Sequence, residues 1–139
     1  MIILDTDIVT LMHSNDPAIA RRLETTEDGE IAVTIITTIE ILRGRFDFLM
    51  KAATKEQFLR AQRLLRFSSQ KLEDMPTLFL DEVALDRFEI LQGTKGLKKI
   101  GRADLLIASI ALARRAKLVT RNLKHFKMIP QLHCETWVD

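Results

Sequence analysis

Apolar positions in this chain fall in short blocks separated by longer amphipathic stretches. Four runs are almost wholly apolar or β-branched: Ile2–Leu4, Ile31–Thr34, Thr77–Leu80 and Lys117–Thr120. Such runs suit strands buried on both faces of a sheet. Thr136–Val138 reads as a weaker fifth. Between them, Thr37 to Ala53 and Lys55 to Lys71 carry apolar residues three and four apart, the spacing of a helix with one buried face. Pro17 after Asp16 suits the first position of a helix running to Thr25. Asp81 would cap a helix through Leu91. Arg102 to Ala116 has little polar face and is predicted to be the most buried helix. Alternation of strand and helix predicts an α/β fold, with a central parallel sheet of four or five strands flanked by helices.

Composition sets the scale. The chain has 139 residues, 47% hydrophobic and 29% charged. That suits one folded domain over residues 1–139, with no sign of a disordered tract. The single cysteine, Cys134, excludes an intramolecular disulfide and agrees with a cytoplasmic protein. No basic segment leading into a long apolar run marks a secretory leader. The longest apolar stretch, Leu105 to Ala113, is too short to span a bilayer, so no membrane association is expected.

Charge changes the picture when the chain is divided. Residues 1–90 carry 11 Lys/Arg against 16 Asp/Glu, whereas residues 91–139 carry 10 against 3. A basic C-terminal third suits a polyanion such as RNA, although a solvated surface would look the same.

The candidate chemistry lies in the acids. Asp5 and Asp7 follow the first strand, Glu40 sits in the first turn of the helix after the second, and Asp104 opens the apolar helix. Asn122 comes just after the Lys117–Thr120 strand. In an open parallel sheet the C-terminal ends of the strands share one edge, where ligands bind. Each residue also has an ordinary structural reading. Thr37-Thr38-Ile39-Glu40 has the form of a capping box, Asp104 would favour a helix dipole, and Asp5 or Asp7 would cap the first helix. Taken together, carboxylates beside such apolar segments are costly without a counter-charge. A hard divalent cation such as Mg²⁺ or Mn²⁺ would supply it. His13, His125 and His133 have no zinc-ligand spacing, Cys134 has no nucleophile's setting, and no phosphate-binding glycine motif is present.

Four segments resemble the PIN-domain nucleases, most closely the VapC toxins of bacterial toxin–antitoxin pairs. They are Ile3-Leu4-Asp5-Thr6-Asp7-Ile8, Thr37 through Gly44 with Glu40, Gly101 through Ala108 with Asp104, and Leu118 through Phe126 with Asn122. The resemblance implies a three-layer PIN-like sandwich and an endoribonuclease dependent on Mg²⁺ or Mn²⁺. It implies Asp5, Glu40 and Asp104 as metal-holding acids, with Asn122 completing the catalytic set. It implies structured RNA, tRNA among it, as substrate, a homodimer and a cognate VapB-type antitoxin. Two departures stand out. Asp7 replaces a commoner Asn, and Asn122 replaces a common Asp, which puts a second metal in question. Two other readings compete. Asp5-Thr6-Asp7-Ile8-Val9 fits the nucleophile motif of haloacid-dehalogenase phosphatases, but no late acid follows the Lys117–Thr120 strand. A domain of this fold that binds RNA or protein without cleaving is the other.

Overall fold

The computed structural model describes residues 1–27 and 29–138. Five parallel strands form one sheet: β1 (Ile2–Leu4), β2 (Ile31–Thr34), β3 (Thr77–Leu78), β4 (Lys117–Val119) and β5 (Cys134–Glu135), in the spatial order β3-β2-β1-β4-β5. Seven helices connect them among the described residues: α1 (Thr6–His13), α2 (Pro17–Thr25), α3 (Ile35–Met50), α4 (Lys55–Glu73), α5 (Glu82–Gln92), α6 (Arg102–Arg114) and α7 (Leu123–Phe126).

The pleat of the central strands divides the core in two. Ile3, Ala32 and Leu118 pack on one face with Phe88 and Leu91 of α5 and Ile107, Ala108 and Ile110 of α6. Ile2, Leu4, Val33 and Val119 pack on the other with Ile8 and Val9 of α1, Ile19 of α2, Ile41 of α3 and Leu72 of α4. Adjacent strand residues thus serve opposite layers, which is why the strands read as unbroken apolar runs. Register fixes this division: Ile2 lies opposite Ile31 on one side and Lys117 on the other, and Leu118 lies opposite Cys134.

Helix ends depart from the sequence expectation in instructive ways. Thr34, the last residue of β2, caps α3 by accepting the Thr37 N–H at 3.2 Å. The helix therefore starts at Ile35, two residues before the expected Thr37, and Glu40 does not reach back as a capping-box acid. A reciprocal capping box does occur at α4, where Thr54 Oγ1 accepts from Gln57 N and Gln57 Oε1 accepts from Thr54 N. The predicted fifth strand also moves. Pairing with β4 falls on Cys134–Glu135, and the Thr136–Val138 segment turns inward. There Trp137 closes the core at 6% exposure and donates its indole N–H to Glu135 Oε1 at 2.9 Å. Thr136 and Val138 gave a strand-like pattern, yet burial of the one tryptophan decides the path. The helix that Asp5 would cap forms as α1, whereas the single-turn α7 was not foreseen. α1 is rich in β-branched residues, poor helix formers on their own, and is held by burial of Ile8 and Val9.

α6 is the most buried helix, as expected. Its one buried polar side chain, Ser109, donates back to the Leu105 carbonyl at 2.6 Å. No described helix is long and apolar enough to cross a membrane.

Leu118 is fully buried at the centre of β4. Leu118→Ala should lower unfolding free energy by about 2–5 kcal/mol in urea titrations. A loss below about 1 kcal/mol would contradict the packing described.

Candidate active site

The strand order reverses beside β1. The chain builds outward from β1 through β2 to β3, then returns to add β4 on the other side. The C-terminal ends of β1 and β4 therefore flank a switch point, the place where open α/β sheets form a ligand crevice. Asp5 leaves β1 there, and Thr120 leaves β4.

Asp5 is both a helix cap and a buried acid. Its Oδ1 accepts the Thr6 N–H at 2.8 Å, which caps α1. Its Oδ2 accepts the Thr120 hydroxyl at 2.7 Å. The side chain is in a residue only 6% exposed. Burial pushes its pKa from 3.8 up to about 6; the two hydrogen bonds pull it back, and the charges of Asp104 and Asp7 add to the rise. Thr120 Oγ1 in turn accepts the Asn122 N–H at 2.9 Å, so the loop after β4 is bound to the same group.

Glu40 is held from β1's side of the site. Thr6 Oγ1 donates to Glu40 Oε1 at 2.7 Å and lies 2.9 Å from Thr37 Oγ1. With Thr6's proton given to Glu40, the buried Thr37 hydroxyl donates to Thr6. Asp104 sits half-buried in the first turn of α6. Burial raises its pKa first; Glu40 and Asp7 add to the rise, and His125 opposes it. Asp5, Asp7, Glu40 and Asp104 thus share one electrostatic field.

They do not form a finished cage. Among the described residues no three acidic, histidine or cysteine side chains stand close enough together to hold a metal. No Lys or Arg forms an ion pair with Asp5, Glu40 or Asp104 among them either; the ion pairs of Glu135 with Arg22 and Lys117 lie at β5. The donor set fits a hard cation in chemistry: a buried Asp5, a half-buried Asp104 and an exposed Glu40, all carboxylates, with Asp5 and Glu40 already oriented by hydroxyls. Asn122 is placed differently from the acids. Its amide neither caps α7 nor binds an acid, but pairs with His125 Nδ1 at 2.9 Å.

Sequence reasoning missed Thr6, Thr120 and His125. Each lies inside a motif segment without being its acid or amide, and the polar ends of β1 and β4 were the available signal. Thr37 was noticed only as a cap, a role that Thr34 fills.

Residues 2–130 match the PIN domain family. The chain is 36% identical to Ribonuclease VapC2 of Rickettsia felis over 143 residues, covering 96% of each protein. It is 30% identical to Ribonuclease VapC1 of Haemophilus influenzae over 138 residues, again 96% of each. Its fold matches VapBC2 from Rickettsia felis, solved with a DNA fragment from the promoter, at TM-score 0.79 and 29% identity, over 99% of this chain and 100% of that one. It matches VapBC-1 from nontypeable Haemophilus influenzae at TM-score 0.76 and 30% identity, over the full length of both. The chain belongs to the PIN-domain family. Within that family its relatives are the VapC ribonucleases.

The pKa of Asp5 gives a stability prediction for the metal-free protein. A carboxyl that titrates at about 6 when folded and near 3.8 when unfolded contributes fully at low pH. That contribution is lost as pH rises from 3.8 through 6, reaching a cost of about 3 kcal/mol once Asp5 is ionised. Asp5→Asn should therefore raise the Tm above pH 6 and flatten its fall between pH 4 and 7. Equal pH dependence in the two proteins, followed by thermal melts in chelator, would contradict the buried-charge account.

Proposed function

We infer that this chain is an endoribonuclease and the toxin of a toxin–antitoxin pair, cleaving structured RNA, tRNA among it. The observation that carries the reading is the buried, uncompensated Asp5 carboxylate at the β1–β4 switch point, in one field with Glu40 and Asp104. The relatives' names and the full-length likeness to toxin–antitoxin complexes support the same activity and a VapB-type partner.

Asp5, Glu40 and Asp104 would hold Mg²⁺ or Mn²⁺. When bound, such an ion lowers the pKa of water and offsets charge on phosphate during in-line attack. The chain's own work is positioning. Thr120 and the Thr6 N–H fix both oxygens of Asp5, leaving its remaining lone pairs directed by the α1 cap. The Thr37–Thr6 hydroxyl pair holds one oxygen of Glu40 and leaves the other free. Exposed Arg121, Lys124 and Lys127 supply positive charge after β4 for the RNA backbone.

Partners have surface to occupy. Phe46 and Met50 of α3 and Phe58 and Phe67 of α4 are all at least 40% exposed. That much solvent-facing aromatic surface on one helical hairpin suits an apolar antitoxin helix. An antitoxin Arg reaching Asp5, Glu40 and Asp104 would pair bidentately and take the cation's place. Phe79, Val83 and Ile90 leave further apolar surface near α5 for a second copy in a homodimer. A cytoplasmic location follows from the activity on RNA.

Asp5→Asn and Asp104→Asn should abolish Mn²⁺-supported cleavage of bulk tRNA while the proteins remain folded. Thr120→Val should lower metal affinity or activity roughly 10- to 100-fold, as loss of an outer-shell orienting group does. Full cleavage by Asp5→Asn would end the assignment. For the partner, Phe46→Glu with Phe58→Glu should prevent co-purification with a co-expressed antitoxin and leave RNA cleavage intact. Retained co-purification would move the docking surface elsewhere.

A further inference from the structure

The segment after β4 holds a second device that the acids do not account for. Asn122 follows β4 at the motif position where an acid is common, and its amide bonds His125 Nδ1 at 2.9 Å. It makes no side-chain cap to α7, the usual occupation of an asparagine at that place. An amide nitrogen can only donate, so His125 Nδ1 accepts and the ring carries its proton on Nε2. That Nε2–H has no partner among the described residues, and it is not buried. His13 differs, since its Nε2 is buried without a partner at the other end of α1. The imidazole also stands close enough to Asp104 to share that carboxyl's electrostatic surroundings. A ring held in one tautomer, with its free N–H open to solvent beside an active-site acid, is a prepared hydrogen-bond donor. Exposed Lys124 and Lys127 flank it in sequence.

We propose that His125 donates from Nε2 to a non-bridging oxygen of the RNA phosphate at the cleavage site, and that Asn122 is a positioning residue that sets the ring's orientation and tautomer. The proposal rests on the ribonuclease reading above. It explains why an amide can replace an acid at position 122: a carboxylate there would pull the ring proton to Nδ1 and turn Nε2 into an acceptor, which would repel phosphate. The donor serves in the neutral ring, so no protonation change is needed.

The test uses the full chain, Mn²⁺ and labelled bulk tRNA, with cleavage rates taken across RNA concentration. His125→Ala should lower kcat/KM roughly 10- to 100-fold, the scale of a lost hydrogen bond to a charged group, mostly through a higher KM. His125→Gln, which keeps an N–H at similar reach, should recover most of that loss. Anisotropy binding of the same RNA in chelator should weaken for His125→Ala and not for His125→Gln. Imidazole nitrogen-15 spectra should give the Nε2–H tautomer for His125 in the unmodified protein and a mixture in Asn122→Ala. Unchanged KM in His125→Ala overturns the proposal and leaves the nuclease standing. Equal impairment of the Ala and Gln variants with a matching fall in Tm also overturns it, because His125 is then structural. An unmodified protein that neither binds nor cleaves RNA brings down the ribonuclease reading and the proposal together.

Discussion

One hydrogen bond joins the two halves of the site across 115 positions of sequence: the Thr120 hydroxyl to Asp5 Oδ2. Everything near the active edge leans on that contact. Asp5 caps α1 with its other oxygen, so the direction in which the chain leaves β1 depends on it. Thr120 holds the Asn122 backbone, so the departure from β4 depends on it too. The bond forms only because β1 and β4 are neighbours in register, with Leu4 beside Val119. Sheet topology thereby converts two distant strand ends into a single polar knot in apolar surroundings.

The knot is incomplete by design of its charge. Burial raises Asp5, and like charges raise both Asp5 and Asp104 further. Among the described residues no Lys or Arg pairs with them, and His125 eases Asp104 alone. The folded chain therefore stores an electrostatic cost that a bound cation would remove, linking cation affinity to stability by mass action. A core that had paired Asp5 with Arg would carry no such cost.

The strands and the most buried helix were legible because burial on both faces leaves an unmistakable apolar run. The convergence of Asp5 and Asp104 was legible because one directly follows a strand and the other sits in the first turn of a helix, places that parallel topology sends to one edge; Glu40 joins them from the second turn of α3, not the first. Their partners were not legible. Thr6 and Thr120 are hydroxyls just past strand ends and Thr37 lies in the first turn of α3, places where a local cap is the commoner role, and the bonds that matter cross 31 to 115 residues. The capping box read at Thr37–Glu40 shows the limit well. The pattern was present, but Thr34 stood one turn earlier at the end of β2 and took the cap, which freed Glu40 for Thr6. β5 was misplaced for a similar reason: local β-propensity at Thr136–Val138 lost to burial of Trp137. The pairing of Asn122 with His125 was illegible, because spacing alone does not say which way an amide turns.

The division of charge along the chain acquires a meaning once the site is in place. Acids clustered at the β1–β4 edge repel a polyanion as surely as they attract a cation. A nuclease built this way needs positive charge outside the acids to bring RNA in, yet not so near that it pairs with them. The basic residues concentrate after residue 90, and Arg121, Lys124 and Lys127 remain exposed in and around the loop leaving β4. They are exposed cations, free to meet phosphate, and Asp5 and Asp104 remain without ion-pair partners. Keeping the two signs separate suits both proposed roles, because a single salt bridge between Arg121 and Asp104 would remove a proposed metal ligand and a proposed phosphate contact at once.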